Sequence, residues 1–421
     1  MVQLTKKRLI LSKVEGVYGI DSAPTGAFDA IHVFDLEIIP LQSEVIDRET
    51  VRPYYGASEQ LLANTRVEVS MSVELTGSGV VGVTPQFSAL LRACSLSETV
   101  TSGPVAGTAA GGGVNAITLD GSASSVERVY VGRIIRVTGG LGQGTLGLII
   151  DYAGASKVAS IRPLNNNTTY DSTSVYSIDI STVYEPISDN PESATIYYNV
   201  DGTLHRITGC RGSCSVVADL GSIPAIEFVF NGIYNPPTDT ALPAVTYANQ
   251  GPPSIFKAGN TGAFALLGFR GCLQSVVMDL SNELIFRDLL NCREEVFITG
   301  RDVNGSVGIE APALAGVGGK DFFAAALSGV VDLVDALLTE DSFDLLYEDS
   351  GQIYLDPTDP AAGDLSFIHG KTAGNLVALL SSRIDLVDPD YEETDGIQGL
   401  SIPYVATPST NGNDEFMLIF A

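Results

Sequence analysis

The stretch from Arg66 to Leu75, RVEVSMSVEL, alternates without interruption between polar and apolar residues. Its apolar members lie on one side of an extended chain, and they are Val67, Val69, Met71, Val73 and Leu75. Because successive side chains of a strand point to opposite faces, this period of two predicts a β-strand with one buried and one solvated face.

A short helix is predicted after this strand and a Gly-rich turn. Thr84 and Pro85 provide the N-cap and first-turn signals of a helix. The apolar positions that follow have the spacing i, i+3, i+4 and i+7, and they are Phe87, Leu90, Leu91 and Cys94. The sequence therefore predicts a strand-turn-helix unit over residues 66–94.

The same unit recurs 236 positions later in the chain. The alternation returns at Val303, Gly305, Val307, Ile309 and Ala311, with Glu310 in the place of Glu74. The second helix face is predicted at Phe323, Ala326, Leu327 and Val330. A pattern repeated at this distance predicts two homologous copies of one domain.

Two further matches extend the repeat. Upstream, EVIDR at 44–48 corresponds to ELIFR at 283–287, at a shift of 239 positions. Downstream, AIEFVF at 225–230 corresponds more loosely to IQGLSI at 397–402. Short Val/Ile/Thr/Tyr runs between Gly, Asn, Asp and Pro recur elsewhere, so the predicted fold class is mainly β, with one flanking helix in each copy.

The sequence predicts a two-domain organisation with insertions. The predicted segments are an N-terminal arm at 1–29, a first domain at 30–106 and 183–250, an inserted small β domain at 107–182, a linker at 251–264, and a second domain at 265–421 with an acidic insertion at 331–363. The flexible run Gly107 to Gly113 opens the inserted domain. Within that domain, residues 129–137 and 146–153 flank a Gly-rich turn, which predicts a β-hairpin.

Charge excludes several function classes. The formal net charge of −27 argues against a basic surface for nucleic acid or anionic lipid, since phosphate contacts need Lys and Arg. About half of the excess lies in residues 332–395, which hold 16 acidic residues against Lys371 and Arg383. We expect neither a signal peptide nor a membrane span, because no apolar run is long enough for either.

The five cysteines, Cys94, Cys210, Cys214, Cys272 and Cys292, are too few for a disulfide framework in 421 residues. They favour assembly in a reducing cytoplasm. Cys210 and Cys214 offer two thiolates, but no second Cys or His pair follows at zinc-site spacing, so two strand-borne cysteines are the favoured interpretation.

Other motifs allow chemical and structural interpretations. Residues 142–147 match GxGxxG, but a strand rather than a helix is predicted after them, which favours hairpin glycines. His369 to Thr372, HGKT, ends like a phosphate-binding loop, yet Leu365 stands where that loop needs Gly. His32, His205 and His369 lack a nucleophile motif such as GxSxG and are interpreted as structural or surface residues.

Calcium is a further alternative for the acidic residues near the C-terminus. These residues are Asp385, Asp388, Asp390, Glu392, Glu393 and Asp395. Glu393 stands where an EF-hand loop needs Gly, so a solvated acidic loop is favoured. No catalytic, cofactor-binding or metal site is predicted, and the lumen-lining and inter-subunit residues of any assembly stay unassigned.

Seven stretches together resemble the major tail tube proteins of long-tailed, siphovirus-type bacteriophages. They are 6–31, KKRLILSKVEGVYGIDSAPTGAFDAI; 66–79, RVEVSMSVELTGSG; 90–101, LLRACSLSETVT; 201–212, DGTLHRITGCRG; 320–329, KDFFAAALSG; 367–375, FIHGKTAGN; and 411–420, NGNDEFMLIF. The resemblance covers most of the chain outside the two insertions. It implies that both copies are tail-tube-like β-sandwich or barrel-forming domains without catalytic residues.

The resemblance also implies an assembly. Subunits of this family close into stacked rings around a channel that conducts DNA, so the chain is expected in the phage tail, without specific DNA binding, cofactor or membrane. Since single-domain relatives form hexameric rings, two domains per chain predict a homotrimer of pseudo-sixfold symmetry, with a hexamer of two-domain chains as the alternative. Terminator, distal tail and tape measure proteins are the expected partners at the tube ends. Because both insertions follow the same helix of their copies, residues 107–182 and 331–363 are expected to project from the outer wall, and tubes are expected to form without residues 107–182.

Two rival functions come from other classes. A surface β-sandwich adhesin or carbohydrate-binding module would be favoured by a signal peptide or dense cysteines, and the sequence shows neither. An enzyme on a β scaffold would need convergent acidic, His or metal-binding groups. The structural tube subunit is therefore the favoured function.

Overall fold

The computed structural model describes residues 4–421 except 5, 49, 102, 165–166, 315–318, 328–364, 395 and 409–411. The predicted acidic insertion at 331–363, the helix-face residue Val330 and Asp395 lie outside the described residues. The described part is mainly β, which confirms the predicted fold class.

The described strands, in chain order, are β1 (Arg8–Val14), β2 (Ala30–Ile31), β3 (Phe34–Asp47), β4 (Gln60–Glu74), β5 (Leu96–Val100), β6 (Val105–Thr108), β7 (Gly111–Gly113), β8 (Ala116–Thr118), β9 (Ile134–Gly139), β10 (Leu146–Ala153), β11 (Val158–Pro163), β12 (Val175–Ile178), β13 (Thr182–Pro186), β14 (Ala194–Val200), β15 (Thr203–Asp219), β16 (Ala225–Tyr234), β17 (Thr238–Asp239), β18 (Thr261–Leu266), β19 (Leu273–Asp279), β20 (Asn282–Arg287), β21 (Glu295–Arg301), β22 (Asn304–Glu310), β23 (Leu365–His369), β24 (Val377–Ser381), β25 (Ile384–Leu386), β26 (Asp390–Thr394), β27 (Ile397–Ala406) and β28 (Met417–Phe420). The described helical segments are α1 (Ser88–Ala93) and α2, residues 322–327.

A 13-stranded antiparallel sheet, the main sheet, runs through both halves of the chain. In the first half its order is β3-β4-β16-β15, and in the second half it is β19-β22-β27, with β25 and β26 both beside β27. β4 shows why the strand forms here, because Val67, Val69, Met71 and Val73 are all at most 3% exposed. The strand predicted from residues 66–75 is confirmed.

The pairing order is the same in both halves. β3 pairs β4, which pairs β16 beside β15; likewise β19 pairs β22, which pairs β27 beside β26. A hairpin extends from each unit, formed by the outer parts of β3 and β4 in the first half and by β20 and β21 in the second. The recurring sequence pattern thus accompanies a recurring topology.

The downstream match needs a correction of two positions. Ala225 pairs with Glu74, and Gly399 pairs with Glu310. Since Glu310 corresponds to Glu74, Ala225 corresponds to Gly399 and not to Ile397. The shift places the buried Ile226, Phe228 and Phe230 level with the buried Leu400, Ile402 and Tyr404.

The first helix has the predicted face but a different start. Phe87, Leu90, Leu91 and Cys94 are buried at no more than 1% exposure. The helix begins at Ser88 with Phe87 at the N-cap, so the prediction that Thr84 and Pro85 begin it was wrong. The Ser88 N–H reaches back to the Pro85 carbonyl, so this segment forms a turn before the helix.

The face predicted for the second helix was partly wrong, because Phe323 and Ala326 pack against the core as predicted but Leu327 does not. Phe322 is 1% exposed, whereas Leu327 is 89% exposed. At about 100° per residue, Leu327 lies about 140° around the helix from Phe322 and faces away from the core. Phe322 packs edge-to-face on Phe269. The buried face of the helix is therefore centred on Phe322, one residue before the predicted Phe323.

Two segments predicted as arm or linker contain strands. Within 1–29, β1 pairs along its whole length with β14. Within 251–264, β18 begins at Thr261 and pairs with β23, and Phe256 before it is 2% exposed. The Gly251 N–H also donates to the Gly77 carbonyl at 2.7 Å. Residues within 251–264 therefore pack into the fold and contribute part of a strand to it.

Two smaller sheets stack outside the main sheet. The middle sheet has the order β18-β23-β24-β28-β13-β5, and the outer sheet has the order β6-β12-β9-β10-β11-β8-β7. One face of the middle sheet contributes Phe367 and Leu379 to the core shared with the main sheet. Its other face contributes Ile368 and Leu380 to the core shared with the outer sheet. All described residues of β23 and β24 are buried because both of their faces are covered.

Candidate assembly interface

The two halves of the main sheet join through β15 and β19. Five residues of each strand pair antiparallel, with Val216 opposite Met278 and Val217 opposite Val277. Val216 and Met278 are at most 2% exposed and face the core. The last strand of the first unit thus hydrogen-bonds the first strand of the second unit, and the sheet continues without an edge.

A buried charged cluster secures this junction. The Arg211 guanidinium donates to a Glu295 carboxylate oxygen at 3.1 Å and to the Val296 carbonyl at 2.7 Å, which ties β15 to the hairpin β20–β21. It also lies 4.5 Å from the ring centroid of Tyr18. The Tyr18 hydroxyl accepts from the Val296 N–H at 2.6 Å and donates to the Gly209 carbonyl, and burial raises the pKa of Tyr18 far above its usual value.

The outer strands of the main sheet each keep one edge without a strand partner in the described part of the chain. β3 pairs only with β4, and β26 pairs only with β27. In the repeated topology, β3 of the first half corresponds to β19 of the second half. Likewise, β26 of the second half corresponds to the C-terminal part of β15 in the first half. The two open edges are therefore the counterparts of the two edges that meet inside the chain.

One face of the main sheet is polar and acidic. Opposite the core-facing positions of β4, β15, β16, β19, β22 and β27 lie mostly Ser, Asn, Gly and Val. The acidic side chains on this face are Glu68, Glu74, Asp219, Glu227, Asp279 and Glu310. Lys and Arg are absent from this face within residues 68–74, 213–219, 225–231, 275–279, 304–310 and 399–405. Just outside those ranges, Arg66 of β4 and Arg211 of β15 lie on the same face.

The hairpin of the first half exposes apolar side chains. Val45, Ile46, Leu61 and Leu62 are each more than half exposed. In the second half, the corresponding hairpin β20–β21 lies against β15 and β16, and its Val296 is fully buried. Only the first hairpin lacks an apolar surface to cover it within the described chain.

The glycine motifs lie at hairpin turns. Residues 140–145 connect β9 to β10, which pair antiparallel, so the predicted hairpin is confirmed. Gly142 and Gly144 of the GxGxxG match lie in its turn, whereas Gly147 lies in β10. The first predicted strand run is shorter than 129–137, because β9 begins at Ile134. Gly370 to Thr372 lie in the connection between β23 and β24, so HGKT does not lead from a strand into a helix.

Among the described residues the histidines lie apart from one another, whereas the buried Cys94 and Cys214 thiols lie within hydrogen-bonding distance. All five cysteines are free thiols, and Cys210 and Cys214 lie on β15, as predicted. His32 stacks on Tyr247, whereas His205 packs near Tyr198. His369 is buried, and the structure places it between the Thr261 hydroxyl and the Ser254 carbonyl.

The predicted acidic loop is partly a strand. Asp390, Glu392 and Glu393 belong to β26, so describing them as loop residues was wrong. Within the described residues, no group of three or more His, Cys, Asp or Glu side chains is arranged to hold a metal ion. None of the helices in that same part of the chain is long and apolar enough to cross a membrane.

The fold and its surfaces thus define a β-rich protein whose sheet edges are suited to self-association. A sequence model of the phage tail tube protein family matches residues 5–406. The chain therefore belongs to the phage tail tube protein family, a class of structural virion components that assemble into a tube with other tail proteins. A search of curated proteins found no match.

Proposed function

We propose that this chain is the repeating subunit of the tail tube of a siphovirus-type phage. Three copies close into a ring of pseudo-sixfold symmetry, and stacked rings form a channel that conducts DNA from the capsid during ejection. The β15–β19 junction is the observation that carries this proposal, because one chain already joins two ring units edge to edge.

Ring closure follows from the two open edges. A sheet that ends in unpaired N–H and C=O groups on both sides either associates further or must be protected. Here β3 and β26 correspond to strands that pair within the chain, so head-to-tail pairing of identical chains can close a barrel. Three chains supply the six units that the resemblance to hexameric rings requires.

We assign the acidic face to the channel wall. The opposite face is the core, and the middle and outer sheets stack beyond it, so in a closed ring the acidic face can line the lumen. Carboxylates such as Glu74, Glu227 and Glu310 would repel DNA phosphates and keep the duplex from adhering. The outer sheet, which contains most of the predicted 107–182 insertion, then lies on the outside of the tube.

This function involves no catalysis, cofactor or membrane. Assembly takes place in the host cytoplasm, where the free thiols agree with a reducing environment. The terminator, distal tail and tape measure proteins would contact the ends and the interior of the tube.

Electron microscopy with symmetry analysis of the purified full-length chain tests the proposal. We expect rings or tubes with a central hole, three chains per ring, and two alternating unit shapes around it. Six identical chains per ring would establish the alternative hexamer, and a protein that stays monomeric at high concentration would contradict the tube function.

A further inference from the structure

We propose that neighbouring chains join in a defined register, with Asp390–Thr394 of one chain paired antiparallel to residues 35–39 of the next. This inference rests on the proposed ring and adds the residues that meet in it. The junction inside the chain serves as the template, because its two strands have direct counterparts at the open edges.

The counterpart of each strand follows from pairings with their shared neighbours. Val217 pairs with Ala225, and Glu392 pairs with Gly399, which corresponds to Ala225. Glu392 therefore corresponds to Val217, and Tyr391 to Val216.

The same reasoning fixes the other strand. Val277 pairs with Ser306, and Glu37 pairs with Ser70, which corresponds to Ser306 at the shift of 236. Glu37 therefore corresponds to Val277, and Ile38 to Met278. Partly buried Ile38 packs against the main core, as the core-facing Met278 does.

Transferring the register places Tyr391 opposite Ile38 and Glu392 opposite Glu37. In the chain, the template pair of Val216 and Met278 is buried. Tyr391 is 49% exposed in the single chain and touches the ring of Phe323, so the neighbour's Ile38 would cover its open side. The pair Tyr391–Ile38 thus completes an apolar row that the template already contains.

The exposed hairpin of the first half and one buried polar atom, Asp385 Oδ1, lack a partner among the described residues, and both lie where the template makes contacts between its two units. The exposed hairpin at 44–48 and 60–63 would cross the neighbour's β25 and β27, as β20–β21 crosses β15 and β16. Asp385 stands at the position of Arg211, because Asp385 pairs with Val405 and Arg211 with the corresponding Asn231. Its Oδ1 is buried and has no hydrogen-bond partner among the described residues.

Disulfide cross-linking tests the register. Ile38→Cys and Tyr391→Cys are combined in a chain whose exposed Cys272 and Cys292 are replaced by Ser. Paired positions across antiparallel strands lie about 4.5–5.5 Å apart at Cα, within disulfide reach. Mild oxidation of assembled rings should convert most of the protein into covalent multimers of up to three chains.

Glu37→Cys with Tyr391→Cys is the matched control, since these side chains point to opposite faces and should give little cross-linking. Rings that form but cross-link equally in both variants, or in neither, would overturn the register. Absence of rings from the unmodified protein would instead contradict the proposed function, so the two failures are distinguishable.

A charge reversal provides an independent test. The register opposes Glu37 and Glu392, and like charges directly opposite each other destabilise a strand pair. Glu392→Lys should therefore lower the concentration needed for half-maximal ring formation by about fivefold in low salt, with a smaller effect in high salt.

Asp388→Lys changes the net charge equally and is exposed but lies outside β26. It should have little effect on ring formation. If Asp388→Lys strengthened assembly as much as Glu392→Lys, the benefit would come from net charge alone and the register would be wrong.

Discussion

A single buried guanidinium, that of Arg211, connects three parts of the chain. It contacts the N-terminal segment through Tyr18, the first unit through the Pro191 carbonyl and the second unit through Glu295 and Val296. The side chains of Arg211 and Glu295 are only 8% and 12% exposed. Substituting Arg211 removes the donor to the Val296 and Pro191 carbonyls and leaves Glu295, in the described part of the chain, paired only with the exposed Arg293, which makes Arg211 sensitive to substitution.

We predict that Arg211→Met lowers the free energy of unfolding by about 3–5 kcal/mol. Urea denaturation followed by circular dichroism measures this change. Arg128→Met is the control, because Arg128 pairs with Asp151 at the surface and such pairs contribute about 0–1 kcal/mol. Equal effects of the two substitutions would show that the Arg211 cluster does not stabilise the junction.

His369 makes stability depend on pH. Its Nε2–H donates to the Ser254 carbonyl, and in the neutral ring Nδ1 accepts from the Thr261 hydroxyl. Burial lowers the pKa of His369, although the bond to Ser254 opposes this shift. Below the unfolded-state value of about 6.5 the unfolded chain binds more protons than the folded chain, so this contribution to stability falls as pH falls.

We therefore predict that the wild-type chain loses stability between pH 7 and pH 5 and that His369→Gln loses less over the same range. Unfolding free energies at several pH values measure the two slopes. His205→Gln should retain the His369 contribution, although burial lowers the pKa of His205 as well. If the unfolding free energies of wild type and His369→Gln changed equally with pH, His369 would not be a source of the pH dependence of stability.

At the scale of elements, the orientation of α2 can be tested by two substitutions on one helix. Phe322→Ala should lower the free energy of unfolding by about 3–5 kcal/mol, because it removes a buried ring that packs on Phe269. Leu327→Ala, which changes a highly exposed side chain, should stay within about 0.5 kcal/mol of wild type. Thermal unfolding compares the two, and a larger loss from Leu327→Ala would support the face predicted from the sequence.

The sequence predicted individual strands and helices better than it predicted which strands and sheets pack together. The alternation at 66–75 was sufficient for β4 because one face of that strand meets the core and the other does not. β23 and β24 lack such alternation, since both of their faces are buried, and nothing local indicates the sheets that cover them. The buried face of α2 was predicted one residue off because FFAAAL supports more than one apolar stripe, and contact with a distant residue, Phe269, selects one of them.

The sequence predicted two copies of one domain but not which strands join them. Neither the β15–β19 register nor the Arg211 cluster has a local signal in the sequence. In the sequence, nothing distinguishes Arg211 from other charged strand residues, because its partner Glu295 is distant in the chain and becomes a neighbour only in the fold. The acidic face could not be assigned either, because the sequence does not show which alternate set of side chains on each strand faces the core.

At the scale of the whole molecule, the stacking of three sheets changes the expectation for the insertion. Strands β5 and β13 pair with each other, and the Thr101 N–H donates to the Ser181 carbonyl at 2.9 Å, so the chain leaves and re-enters the middle sheet at adjacent points. Geometry alone would allow the outer sheet to be removed. However, the outer sheet covers Ile368, Leu380 and Ile419 of the middle sheet, so it also serves as part of the core.

We predict that joining Thr101 to Ser181 through an Asn-Gly turn yields a chain that aggregates, in contrast to the sequence-based expectation that tubes form without residues 107–182. Size-exclusion chromatography and electron microscopy measure solubility and ring formation. A second variant carries the same deletion with Ile368→Thr, Leu380→Thr and Ile419→Thr, and it should recover soluble protein because these changes make the uncovered face polar. Rings from this second variant would show that the outer sheet is needed for covering the middle sheet and not for assembly, since the β3 and β26 edges are unchanged. Soluble rings from the simple deletion would instead show that the contact between the two sheets contributes little to the stability of the tube.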